Sequence, residues 1–124
     1  MSMKSKKHLE TGKKGEAQAV EFLRRSGYKI LATNWHYGHK EIDIIAMDQE
    51  LLVIVEVKTR HSTRFGFPEE AVNKRKQRFL IEAAHAYIME NDIHLGVRYD
   101  VIAIVYEGGK RSLIHLKDAF IPGL

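Results

Sequence analysis

The chain has 124 residues, no cysteine, and 20 basic against 16 acidic residues, which gives a formal net charge of +4. This length supports one domain with a real hydrophobic core, and the lack of cysteine excludes a disulfide scaffold or a thiolate metal site. No run is apolar enough for a membrane span or a secretory signal, so we expect a cytoplasmic protein.

The N-terminal segment is basic and polar, and we predict a tail without fixed structure over residues 1–11, ahead of a single domain over 12–124. The first helix is predicted from Gly12 to Ser26, with Gly27 as its stop signal. Glu16 falls in line with the apolar stripe of this helix. An acid in a first turn is also favoured by the helix dipole, and that alone would explain Glu16.

The helix is followed by a predicted edge strand from Tyr28 to Asn34 and a polar loop from Trp35 to Lys40. Next comes a predicted antiparallel hairpin, whose strands at 41–46 and 53–58 read EIDIIA and VIVEVK. Both strands are apolar enough to be buried, yet Asp43, Glu56 and Lys58 lie within them.

The hairpin brings these charged side chains together. Side chains alternate along a strand, so Asp43, Glu56 and Lys58 share one face in either register that an even loop allows. Pairing residue 47 with 52 sets Asp43 directly opposite Glu56, whereas pairing it with 50 sets Asp43 opposite Ile54.

Charges buried in strands need a partner or a metal, because an unpaired buried charge is costly. Two carboxylates suit Mg²⁺ or Mn²⁺, which prefer oxygen ligands and often bind substrate phosphate. Lys58 would then position water or stabilise charge in the transition state. The alternative is a salt bridge between Glu56 and Lys58 or Arg60, and the presence of Asp43 in the preceding strand favours the metal site.

A second helix is predicted to begin at Pro68 and to continue to about Glu90. Two strands follow, at 97–106 and 112–116, on either side of a Gly108-Gly109 turn. The first of them is apolar on both faces and is predicted to lie inside the sheet. The order αβββαββ predicts an α/β sandwich with a mixed sheet.

Basic residues lie in clusters on both sides of the proposed site in the sequence, which favours a nucleic-acid partner. The alternative is an ordinary solvated surface, since many basic proteins bind no nucleic acid. The side chains that we predict to contact nucleic acid are Arg60, Arg64, Lys74, Arg75, Lys76 and Arg78.

The order Asp43, then Glu56-Val57-Lys58, resembles the PD-(D/E)xK motif of restriction endonucleases and archaeal Holliday junction resolvases. The longer strings EIDIIA at 41–46 and VEVKTR at 55–60 are similar to the YraN-like family of small bacterial proteins, which is placed in that nuclease superfamily. The resemblance covers residues 12–114. The family pattern has a glycine where this chain has Lys40.

The resemblance implies a restriction endonuclease-like three-layer sandwich and a nuclease-like domain that hydrolyses DNA, with branched or junction DNA as one class of substrate. It makes Asp43, Glu56 and Lys58 catalytic residues and Mg²⁺ or Mn²⁺ the cofactor. It adds Glu16 as a further metal ligand, and Gln77 as an auxiliary residue from the second helix. RNA is an alternative substrate, and related nucleases often act as homodimers.

Two other functions fit the same residues. The chain could be a non-catalytic nucleic-acid-binding module with this fold, or a structural or interaction protein whose charges form an internal ion-pair network. Metal binding would separate the nuclease and the binding module from the structural protein. Cleavage of DNA would separate the nuclease from the binding module.

Overall fold

The structure is a computed structural model that describes residues 3–61 and 72–123, with residues 3–11 described by their backbone alone. The elements are α1 (Met3–Arg25), β1 (Lys29–Tyr37), β2 (Lys40–Asp48), β3 (Leu51–Arg60), α2 (Lys74–Glu90), β4 (Gly96–Glu107) and β5 (Lys110–Leu116). The predicted order αβββαββ is confirmed. Neither helix is long and apolar enough, in the part of the chain described, to cross a membrane.

The five strands form one mixed sheet in the order β1-β2-β3-β4-β5. Strands β3 and β4 are parallel, and the other neighbouring pairs are antiparallel. A parallel pair needs a crossover, which α2 and its flanking segments provide. Strand β1 lies at an edge and β4 inside the sheet, as the sequence predicts.

The two helices cover opposite faces of the sheet. Val53 of β3 packs in the same core cluster as Leu23 of α1, whereas its neighbour Ile54 packs with Leu80 of α2. Alternate residues of one strand therefore face different helices. The result is a helix–sheet–helix sandwich with the sheet in the middle.

Two boundaries in the first half of the chain differ from the predictions. Helix α1 begins at Met3 rather than near Gly12, because a glycine weakens a helix without stopping it. The predicted loop over 35–40 is wrong, since Trp35 to Tyr37 continue β1 and Trp35 packs edge-on against Tyr87, with 5.2 Å between ring centroids.

The turn between β1 and β2 explains why Lys40 is tolerated at the family's glycine position. The positive φ that this turn needs, 64°, is adopted by Gly38, two residues earlier. Lys40 itself lies in β2 and pairs with Tyr37. An extended backbone accepts any side chain, so the substitution leaves the turn intact.

The second helix, α2, is shorter than predicted within the described residues, because residues 72 and 73 are not helical. Asn73 has an extended backbone, and its side chain accepts a hydrogen bond of 2.9 Å from the Lys76 backbone N–H. This is an N-cap, so α2 begins at Lys74. Pro68 lies outside the described residues.

Helix α1 approaches β3 very closely at Gly15. A Cβ atom at this position would lie 2.5 Å from Thr59 Oγ1, which is closer than van der Waals contact permits. The absence of a side chain at Gly15 therefore sets the distance between the helix and the strand. The next residue is Glu16, so the same contact fixes where this acid lies.

We predict that Gly15→Ala destabilises the protein by about 1–3 kcal/mol, as overpacking of a tight contact does. Thr59→Ala removes the clashing hydroxyl, so the double variant should recover most of the loss, and chemical denaturation of the four proteins measures the coupling. Additive losses would show that Gly15 and Thr59 do not constrain each other.

A buried charge network ties β4 to the surrounding elements on the α1 side of the sheet. Arg98 forms two hydrogen bonds of 2.9 Å with Asp100, one of 3.0 Å with Asp48 and one of 2.6 Å with the Tyr28 hydroxyl. His115 of β5 lies 2.8 Å from Asp100. Burial alone would raise the pKa of Asp100, but the hydrogen bonds with His115 and Arg98 outweigh it and hold that pKa below its ordinary value.

Arg98→Met should destabilise the fold by about 3–5 kcal/mol, because it leaves Asp100 buried without its main partner. Replacing both residues, as Arg98→Met with Asp100→Leu, should cost less than the single change. Arg111→Met, at an exposed position in β5, is the control and should leave the free energy of unfolding nearly unchanged. Equal losses in the single and double variants would contradict this account.

Candidate functional site

The hairpin of β2 and β3 has the register that sets Asp43 across from Glu56. Met47 pairs with Leu52, and the regular pairing continues to Ile44 opposite Val55. Beyond that point Asp43 Oδ2 accepts a hydrogen bond of 2.8 Å from the backbone N–H of Val57. A side chain thus takes over from the backbone ladder where the ladder ends.

The alternation of side chains along β2 breaks at Asp43. Ile42 and Ile45 both pack in the core beneath α2, whereas Ile44 packs beneath α1. Strict alternation would place Ile42 with Ile44, so the strand is irregular between them. Asp43 lies at this irregularity, between the isoleucines of the two cores.

Asp43, Glu56 and Glu16 line one cavity of about 330 Å³, which brings together acids from β2, β3 and α1. Glu16 is held in place by Asn34, whose side-chain N–H donates to its Oε2 at 2.8 Å. Asn34 has a φ of 50°, a conformation that asparagine tolerates better than most residues. The other residues that line the cavity are Gly12, Val57, Thr59 and His61.

Glu56 is 3% exposed, and its two carboxylate oxygens have different surroundings. Oε1 lies 3.4 Å from Lys76 Nζ of α2 and 3.6 Å from Lys58 Nζ. Oε2 is buried and has no hydrogen-bond partner among the described residues. Buried carboxylate oxygens normally have partners, so Oε2 is suited to a ligand that the protein alone does not supply.

The carboxyl group of Asp43 is electrostatically strained. Burial, together with the nearby charge of Glu56, raises the pKa of Asp43 from its ordinary value to about 7. The Val57 N–H and Lys76 lower this pKa, and Glu16 raises it further. An added cation would relieve the repulsion between these acids.

The donor set fits a divalent cation held by two carboxylates. No three acidic or histidine side chains converge into a ready-made metal cluster in the residues that the structure describes. Magnesium commonly binds one or two carboxylates and completes its shell with water and substrate phosphate. Asp43 and Glu56 provide two carboxylates of this kind, and Glu16 lines the same cavity.

The other residues that were predicted for the site differ in their surroundings. Gln77 donates to the Val72 carbonyl at 3.0 Å, so its side chain fastens the start of α2. Arg60 is half-buried on β3, and its Nε has no partner among the described residues. Arg64 lies outside the described residues. Lys74, Arg75 and Arg78 are exposed on α2.

Sequence reasoning missed the pairing of Lys76 with Glu56, the support that Asn34 gives Glu16, and the position of His61 beside the acids. Lys76 was predicted as a contact for nucleic acid. The roles of Asn34 and His61 depend on tertiary contacts, and no local signal in the sequence identifies them.

Comparison with known proteins places the chain in a family. A family model described as "Uncharacterised protein family UPF0102" matches residues 15–104. The UPF0102 protein of Flavobacterium psychrophilum is 46% identical over 113 residues, covering 91% of this chain and 95% of the relative. That of Bacteroides thetaiotaomicron is 46% identical over 117 residues, covering 94% and 97%. The chain belongs to this family, the YraN-like family indicated by its two strand motifs.

We predict that Asp43→Asn stabilises the metal-free protein at neutral pH and has little effect in acid. A raised carboxyl pKa means that ionisation destabilises the fold as the pH rises from about 4 to about 7, and asparagine cannot ionise. The difference in free energy of unfolding between the variant and the wild type should be about 1–3 kcal/mol more favourable to the variant at about pH 8 than at about pH 5. Unfolding is measured in a chelator at both pH values.

Glu50→Gln is the control for this experiment, because Glu50 is an exposed acid in the turn of the same hairpin. It should show the pH profile of the wild type. If Asp43→Asn also follows the wild-type profile, the acids of the cavity do not repel one another as described.

Proposed function

We propose that this protein is a Mg²⁺- or Mn²⁺-dependent endonuclease that hydrolyses DNA phosphodiester bonds. The observation that carries the proposal is the buried Oε2 of Glu56, which has no hydrogen-bond partner among the described residues, beside the strained carboxyl group of Asp43. The resemblance to the PD-(D/E)xK motif supports the same chemistry, because it assigns these two positions to the metal.

The carboxylates of Asp43 and Glu56 are held in different ways in this mechanism. Asp43 is oriented by the Val57 N–H through Oδ2, and its carboxylate would be one of the two that hold the cation. Glu56 offers Oε2, while its Oε1 faces the two lysines. When bound, the cation acidifies water and neutralises charge that develops on the phosphoryl oxygens.

Lys58 and Lys76 supply the positive charge that a phosphoryl transition state needs. Both ammonium groups approach the same oxygen of Glu56, from β3 and from α2. Each remains partly exposed, with side-chain exposures of 36% and 29%, so each can contact a substrate that enters the cavity. Lys58 occupies the motif position, and Lys76 is an additional candidate for binding the scissile phosphate.

A contrast within the protein argues against a purely structural ion-pair network. Asp100 is as buried as Glu56, but its oxygens accept hydrogen bonds from Arg98, from His115 and from the Asp118 N–H. Structural buried acids are satisfied in this way. Glu56 is not, which supports a role that a ligand completes.

Asp43→Asn should lower the rate of DNA cleavage at least about a thousandfold, since it removes one of two metal carboxylates while keeping the hydrogen bond from Val57. The wild type and the variant are incubated with Mn²⁺ and labelled linear, flapped and four-way DNA. Glu56→Gln should have the same effect, and a chelator should stop the wild type.

Glu50→Gln again serves as the matched control and should cut like the wild type. Cleavage that persists in both Asp43→Asn and Glu56→Gln would place the activity elsewhere. Binding of DNA without cleavage by the wild type, on every substrate, would favour a non-catalytic nucleic-acid-binding module.

A further inference from the structure

A second cavity, of about 350 Å³, lies between the β1–β2 turn and α2. We call it the basic–aromatic groove. Its lining combines two aromatic rings with positively charged side chains, and Glu82 is the one acid among the described residues that line it. These residues are Tyr37, His39, Lys40, Arg75, Arg78, Phe79 and Glu82.

The aromatic rings of the groove are surrounded by cations. The ring of Phe79 has the ammonium groups of Lys40 and Lys76 each at 5.6 Å from its centroid. The ring of Tyr37 lies 6.2 Å from that of Phe79 and is tilted by 47°. Tyr37 is 37% exposed, so part of its surface is open to a ligand.

Lys76 connects this groove to the acidic cavity. Its ammonium group lies 3.4 Å from Glu56 Oε1 and 5.6 Å from the centre of the Phe79 ring. A chain of phosphates that passes Lys76 would therefore extend from the carboxylates of one cavity into the cationic lining of the other. The complementarity of charge favours a polyanion over an acidic or neutral small molecule.

We propose that the basic–aromatic groove binds a single-stranded segment of DNA next to the phosphodiester that is cut. Base faces are available for stacking only where the strand is unpaired, and aromatic rings interleaved with cations are the means by which proteins bind such strands. A duplex would use the cations but not the rings. This inference rests on the proposed nuclease function and defines its substrate as DNA with an unpaired stretch.

The test uses binding of a labelled oligothymidylate to the full chain in a chelator, so that no cleavage occurs. Tyr37→Leu keeps an apolar contact with Phe79 but removes the stacking surface, and it should weaken binding about tenfold. Arg78→Gln should lower the slope of log affinity against log salt by about 0.7. Arg111→Gln, an exposed arginine of β5 outside the groove, should change neither value by as much.

The outcomes separate this inference from the proposed function. Weaker oligothymidylate binding by Tyr37→Leu, with an unchanged thermal unfolding temperature, supports the groove even if no DNA is cut. If Tyr37→Leu and Arg78→Gln both bind oligothymidylate like the wild type, the proposal that the groove binds single-stranded DNA is overturned. Cleavage of DNA by the wild type would still support the proposed nuclease function. Duplex DNA that competes as well as the single strand also overturns it, as does tighter binding of oligouridylate.

Discussion

A single hydrogen bond, from the Val57 backbone N–H to Asp43 Oδ2, determines how the site is built. It replaces the next rung of the ladder between β2 and β3, so the two strands stay together after their regular pairing ends at Ile44 and Val55. It also fixes one oxygen of Asp43 in a buried position where its charge is unfavourable. The position of Asp43 relative to Glu56 follows from this bond, and the cavity between them follows from that position.

Buried charged side chains in this sheet have two different kinds of surroundings. Arg98 and Asp100 are surrounded by partners, and their network joins β4 to β5, to the end of β2 and to Tyr28. In the second half of β3, Glu56 has one carboxylate oxygen without a partner in the part of the chain that is described, and Asp43 is protonated more readily than an ordinary aspartate. The first arrangement stabilises the fold. The second gives up stability, a pattern common at functional sites, and under the proposed function a bound cation recovers it.

The order of the elements could be predicted from the sequence, and the hairpin was narrowed to two registers, of which the pairing of residue 47 with 52 is the one observed. The apolar runs around Asp43 and Glu56 have strand periodicity, and a short polar turn permits only a few registers. Element ends were predicted less well. Trp35 belongs to a strand because it packs on Tyr87. Asn73 caps the start of α2 because its side chain accepts a hydrogen bond from the Lys76 N–H. Hydrophobic periodicity encodes neither contact.

The candidate site was predicted in its acids but not in its surroundings. Asp43 and Glu56 stand out because charges are rare inside buried strands, whereas Asn34, Lys76 and His61 are ordinary residues in ordinary places of the sequence. Asn34 and Lys76 contribute because β1 and α2 pack against the hairpin, and His61 contributes from the residue that follows β3. The Arg98–Asp100 pair was missed as a network for the same reason, since Asp48 and His115 join it from other strands.

The central claim is that Asp43 and Glu56 together hold a divalent cation. Anomalous diffraction from crystals grown with Mn²⁺ tests it most directly, because the signal locates the metal without reference to activity. The account predicts a manganese peak bonded to Asp43 and to Glu56 Oε2 at about 2.0–2.2 Å, in the cavity that Glu16 borders. A peak elsewhere in the protein, or none between these two carboxylates at saturating Mn²⁺, would contradict it.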